Sequence, residues 1–65
     1  MRVTLNGVPR ELPEHATLAQ AVAIAGAKPP FAAAVNLQFV PRSCYKSVQL
    51  RDDDRIEIVS PVTGG

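Results

Sequence analysis

The sequence has a single cysteine, Cys44, so no internal disulfide can brace the chain. One histidine, His15, beside that lone cysteine cannot supply the usual four ligands of a structural zinc site, and no metal is expected. Neither sign of charge is in excess: seven basic against six acidic residues leave a net charge of +1. That balance lacks the electrostatic footprint of a nucleic-acid binder and of a protein drawn to anionic lipid. Long hydrophobic runs are also missing. The longest apolar-rich stretch, Pro29 to Val35, falls far short of the ~20 residues of a membrane span. Met1-Arg2 leads straight into a strand-like pattern, so no signal peptide is expected and the expected compartment is the cytoplasm.

What is present suits one small folded domain. The chain has 65 residues, 46% hydrophobic and 20% charged, a balance of folded rather than disordered sequences. A domain of this size buries only about 60% of its unfolded surface. Val3-Thr4-Leu5 alternates as a half-buried strand does. Asn6-Gly7 is a strong two-residue hairpin signal, because both residues tolerate positive φ. Arg10-Glu11-Leu12 returns as a short edge strand flanked by Pro9 and Pro13. Thr17 is a good N-cap, and Gln20 three residues on completes a capping box. Leu18, Ala21, Val22 and Ala25 then fall on one helical face, with Ile24 off it; Gly26 is the stop and Pro29-Pro30 prevents resumption.

Phe31 to Asn36 reads as a third strand and Asn36-Leu37-Gln38 as a turn. Phe39-Val40 starts a fourth strand, limited by Pro41. Ser43-Cys44-Tyr45 suits a single helical turn capped by Ser43, and Asp52-Asp53-Asp54 a turn. Arg55-Ile56-Glu57-Ile58-Val59 is the best strand, with Ile56 and Ile58 facing one way and Glu57 the other. One helix and one sheet predict a two-layer α+β domain, with a core of Val3, Leu5, Leu18, Val22, Val35, Ile56 and Ile58.

The chain ends Pro61-Val62-Thr63-Gly64-Gly65. Glycine lacks Cβ, so a terminal diglycine can be threaded down a narrow channel and its carboxylate carries no steric shield. Such a carboxylate can attack the α-phosphate of ATP, and the resulting acyl-adenylate can lose AMP to a sulfur or nitrogen nucleophile. The plain alternative is a frayed end.

This order of elements, in so short a chain ending in Gly64-Gly65, resembles the β-grasp (ubiquitin-like) sulfur carriers, and most closely the ThiS family of thiamine thiazole synthesis. The residues that carry the resemblance are the hairpin at Asn6-Gly7, Thr17-Leu18 opening the helix, Val35-Asn36 followed by Val40-Pro41-Arg42, the turn Asp52-Asp53-Asp54, the strand Arg55 to Val59, and the diglycine. It implies an α+β β-grasp fold. A mixed four- to five-stranded sheet carries one helix on one face, and its first and last strands pair in parallel at the centre. Residues 1–60 would form the domain and 61–65 a flexible tail, mobile until ordered in a partner's channel.

The resemblance also implies that Gly65 is adenylated by a ThiF-like enzyme using ATP and magnesium. Sulfur from a cysteine desulfurase makes the thiocarboxylate, which a ThiG-like thiazole synthase consumes. Thr63, Gly64 and Gly65 would enter the partner's active site. The carrier itself would bind no cofactor, catalyse nothing and be a monomer when free. The tail also resembles that of MoaD, the related carrier of molybdopterin synthesis, and a ubiquitin-like modifier joined to lysines through Gly65 shares the first step. Many relatives carry a tryptophan shortly after Val-Pro-Arg, where this chain has Tyr45. Phe39, Val40, Arg42 and Tyr45 are candidate docking residues, with minor core as the alternative for Phe39, Val40 and Tyr45. Cys44 reads as a small hydrophobe, His15 as solvated, and Asn36 as a turn support rather than chemistry.

Overall fold

Asn6 and Gly7 take the positive φ that their hairpin requires, 51° and 82°. In the computed structural model, which describes residues 1–60, they join β1 (Arg2–Leu5) to β2 (Val8–Glu11). The second strand begins at Val8 and contains Pro9, which the sequence pattern placed as a flank; Pro9 pairs with Thr4 on an edge strand, where no further ladder donor is needed. After α1 (Leu18–Ala25) come β3 (Ala32–Val35), β4 (Gln38–Val40) and β5 (Arg55–Val59). The sheet is five-stranded in the order β2-β1-β5-β3-β4, so the last strand is central. It runs parallel to β1, with Leu5 beside Ile56, and antiparallel to β3.

The helix begins as its cap residues dictate. Thr17 Oγ1 accepts from the Gln20 amide at 3.3 Å, and Gln20 Oε1 accepts from the Thr17 amide at 2.8 Å. Two more free N–H groups of the first turn find partners in the segment before β5: Leu18 donates to the Val48 carbonyl (2.9 Å) and Ala19 to that of Tyr45 (3.0 Å). The donors a helix start leaves open are thus closed partly by its own cap and partly by distant backbone. Gly26 ends the helix at φ 71°, a left-handed cap that costs glycine nothing.

Leu18 and Ile56 are fully buried and Val3 nearly so. Each such aliphatic side chain contributes about 1.5–3 kcal/mol by leaving water. Of the expected core, Val35 and Ile58 are half-buried and pack at its margin. The core is completed instead by small and loop residues: Leu12, Ala16, Ala21, Ala33, Val40, Tyr45 and Leu50. Tyr45 stacks on Phe31 with ring centroids 6.0 Å apart. Ser43 is not a cap: the short 3₁₀ turn spans Arg42–Cys44, Pro41 holds the cap position, and no side chain caps it. Cys44 is half-buried against the core, as a small hydrophobe would be. His15 is exposed.

The second hairpin, Asn36-Leu37, repeats the first, with φ 51° and 70° and Val35 paired with Gln38. Here the second position holds leucine, 74% exposed, in a conformation that crowds its Cβ. Leu37→Gly is therefore expected to raise unfolding free energy by about 0.5–1 kcal/mol, strain relief outweighing glycine's entropy cost. A lower denaturation midpoint would contradict the strain argument. Ile56→Val is expected to cost about 1 kcal/mol with an unchanged denaturant m-value.

Candidate functional site

The site is built from the way β5 is held and where it lets the chain go. Its register with β1 covers only Thr4–Arg55 and Leu5–Ile56, because β1 turns away at Asn6. The Asn6 amide N–H donates to the Ile56 carbonyl at 2.8 Å. Beyond that point a side chain replaces the missing strand. Asn6 Oδ1 accepts from the Ile58 N–H at 2.7 Å, and Asn6 Nδ2 donates to the Ile58 carbonyl at 3.2 Å. On its other side β5 keeps regular antiparallel partners to its end, Ala33 with Ile58 and Ala32 with Val59. The last described residue, Ser60, is exposed one position later.

The start of β5 has a matching device. Asn36 Oδ1 accepts from the Arg55 N–H and its Nδ2 donates to Asp54 Oδ1, both at 2.9 Å. The second oxygen of Asp54 accepts from the Arg51 amide at 2.8 Å, which closes the acidic turn. Asn36 sits in its own turn at φ 51°, but its side chain supports the acidic turn and the start of β5 instead. Asp52 accepts from the Arg2 amide at 2.8 Å, so two of the three adjacent carboxylates serve backbone N–H groups. Among the described residues no group of three or more His, Cys, Asp or Glu side chains is placed to hold a metal ion.

The sheet face away from the helix is open. Directly opposed residues on neighbouring strands share a face, so the register puts Ala32 and Val59 together there, with Ala34, Glu57 and Phe39. Phe39 and Val59 are 68% and 63% exposed. A shallow trough of about 160 Å³ lies among these residues. At the strand's end a cleft of about 360 Å³ is lined by Asn6, Gly26, Lys28, Phe31, Ile58 and Ser60, among others.

Of the four candidate docking residues, Val40 and Tyr45 belong to the core, at 8% and 7% exposure. Alternation on β4 explains the first: Val40 pairs with buried Ala33 while Phe39 points to the open side. Tyr45 follows the 3₁₀ turn; its ring lies against Phe31 and its carbonyl accepts from the Ala19 N–H at the helix start. Phe39 and Arg42 are at the surface. Thr63, Gly64 and Gly65, and the tail 61–65 as a whole, lie outside the described residues. The sequence reading missed the Asn6 clasp and the apolar strip of Ala32, Ala34 and Val59. The strip was visible as the outward half of two alternating strands, but the clasp joins residues 52 apart and has no local signal.

A central last strand, a parallel neighbour formed by the first strand and a single helix across one face define a β-grasp domain, the ubiquitin-like class. The chain belongs to the ThiS family, whose model matches residues 3–65. Among solved structures, it is similar to the crystal structure of the thiamine biosynthesis protein ThiS from Geobacter metallireducens, with a TM-score of 0.82, 19% identity and 100% of both chains covered. A solution NMR structure of a thiamine biosynthesis protein from the same organism matches at a TM-score of 0.81 and 19% identity, covering 100% of this chain and 88% of that one. A search of curated proteins finds no match. No helix among the described residues is long and apolar enough to cross a membrane.

The burial pattern separates fold from surface chemistry. Phe39→Ala is expected to leave stability within about 0.5 kcal/mol of wild type. Val40→Ala is expected to cost about 1–2.5 kcal/mol for the methyl groups lost from the core. Equal losses for the two variants in urea titrations would contradict the facing of β4.

Proposed function

We propose that this protein is a sulfur carrier for thiazole formation in thiamine biosynthesis and that Gly65 is the residue chemistry is done on. The observation that carries the reading is the family match, which runs through residue 65 and so includes the diglycine. The position of Ser60 supports it: the last described residue follows the central strand beside the open apolar face, within reach of a partner seated there. A carboxylate oxygen of Gly65 attacks the α-phosphate of ATP on a ThiF-like enzyme, with magnesium bound there, and pyrophosphate leaves. The outer sulfur of a persulfide, loaded by a cysteine desulfurase, then attacks the acyl carbon and expels AMP. A thiol attacks the inner sulfur of the resulting acyl disulfide and forms a new disulfide with it, and the thiocarboxylate leaves, to be consumed by a ThiG-like synthase. Thr63 and Gly64 would occupy the approach to the partner's centre, its narrow end falling at Gly64 and Gly65, which carry no Cβ.

In this reading the carrier binds no cofactor and performs no catalysis of its own. Phe39, with Ala32, Ala34 and Val59, is the docking surface; exposed Arg42, in the 3₁₀ turn that follows β4, is a further candidate. Apolar anchors of this kind dominate small interfaces, while exposed charges mainly steer.

Deleting Gly65 is expected to leave the folding free energy within about 0.5 kcal/mol of wild type and to abolish thiocarboxylate formation by the activating enzyme with ATP, magnesium and a persulfide donor. A truncated chain that still supported thiazole synthesis would overturn the assignment. A stable lysine conjugate through Gly65 in place of the thiocarboxylate would move the protein to the modifier class.

A further inference from the structure

We infer that Asn6 is a positioning residue for the reactive end: its side chain fixes the point at which the chain leaves the sheet. The inference rests on the carrier reading of Gly65. The geometry is specific. Ile56 and Ile58 turn their backbone groups toward the β1 side of the sheet, and β1 has no residue to offer beyond Leu5. The Asn6 carboxamide is a donor and an acceptor in one plane, and it meets the Ile58 carbonyl and N–H at 3.2 and 2.7 Å. It does for Ile58 what a further residue of β1 would have done. Two residues later Ser60 is exposed and the reactive segment begins.

Turn geometry alone does not call for this side chain. Asn6 has φ 51°, which glycine reaches without cost, and its neighbour Gly7 is already glycine. What asparagine adds is the amide. Without it, Glu57 to Val59 would be held from the β3 side alone, and β5 would fray back toward Ile56. More backbone would then have to be ordered each time Gly65 entered a partner's channel, an entropic cost paid per residue fixed. That cost falls on association and not on the chemical step, so it raises KM for the carrier and spares kcat.

Asn36 provides a matched control. It also starts a two-residue loop at φ 51° and also clasps β5 through its amide, but at Arg55 and Asp54, the end remote from the tail. The experiment compares Asn6→Gly, Asn6→Asp and Asn36→Gly with wild type. It reads amide hydrogen exchange at Ile58 and steady-state kinetics of the ThiF-like enzyme with the carrier as variable substrate.

Asn6→Gly is expected to speed Ile58 exchange and to raise KM by about tenfold each, with kcat unchanged. Asn36→Gly is expected to leave Ile58 exchange and KM near wild type. Asn6→Asp keeps the turn and the acceptor for the Ile58 N–H but sets a carboxylate oxygen against the carbonyl, so an intermediate KM is expected. An unchanged KM in Asn6→Gly, or an equal rise in Asn36→Gly, overturns the inference while leaving the carrier reading intact. A wild-type chain that is never adenylated overturns both.

Discussion

β5 sits between β1 and β3, and its Ile56 side chain is shut entirely away from water. β1 and β3 reach the core beside this strand, and β2 and β4 join the sheet through those two neighbours. A central strand contributed by the last stretch of sequence closes long loops, and such pairing carries a high entropic cost before it is rewarded. The two hairpin asparagines offset that difficulty. Each leaves its own turn and clasps β5, one at Asp54–Arg55 and one at Ile58, so the strand is pinned at both ends by side chains from its two neighbours.

This arrangement joins stability to function through one element. The inward residues of β5 hold the domain together; its outward Glu57 and Val59 form part of the open face; its end leaves Ser60 exposed. Helix capping serves the same frame at a distance, because the carbonyls of Tyr45 and Val48 accept the first free helix donors and so lock the segment that leads into β5 against α1. That coupling explains why loop residues such as Tyr45 and Leu50 are core here: a small domain with one short helix recruits its connections to complete its interior.

Local rules made much of this legible. Asn6-Gly7 gave the first turn, Thr17 with Gln20 the helix start, Gly26 its end, and alternation the last strand; each rests on backbone chemistry confined to a few residues. The resemblance carried by Val35-Asn36, Val40-Pro41-Arg42 and Gly64-Gly65 supplied the topology, including the parallel pairing that periodicity cannot show. What stayed hidden was long-range. Pro9 reads as a strand limit because it cannot donate to a ladder, yet on the edge strand, beside Thr4, that donor is not needed and the strand begins at Val8. Ser43 suits a cap by residue type, but Pro41 occupies that place. Val40 and Phe39 could not be told apart as core and surface until register assigned them faces.

The central claim is that Gly65 carries sulfur, and intact mass spectrometry of the protein isolated under mild, non-reducing conditions tests it most directly. A thiocarboxylate exchanges oxygen for sulfur, a gain of about 16 Da, nearly the same as oxidation of Cys44 or Met1, so the C-terminal peptide is fragmented as well. The account predicts the added mass on Gly65, appearing with the activating enzyme, ATP and a persulfide donor. A Gly65 that remains an unmodified carboxylate under those conditions would contradict it.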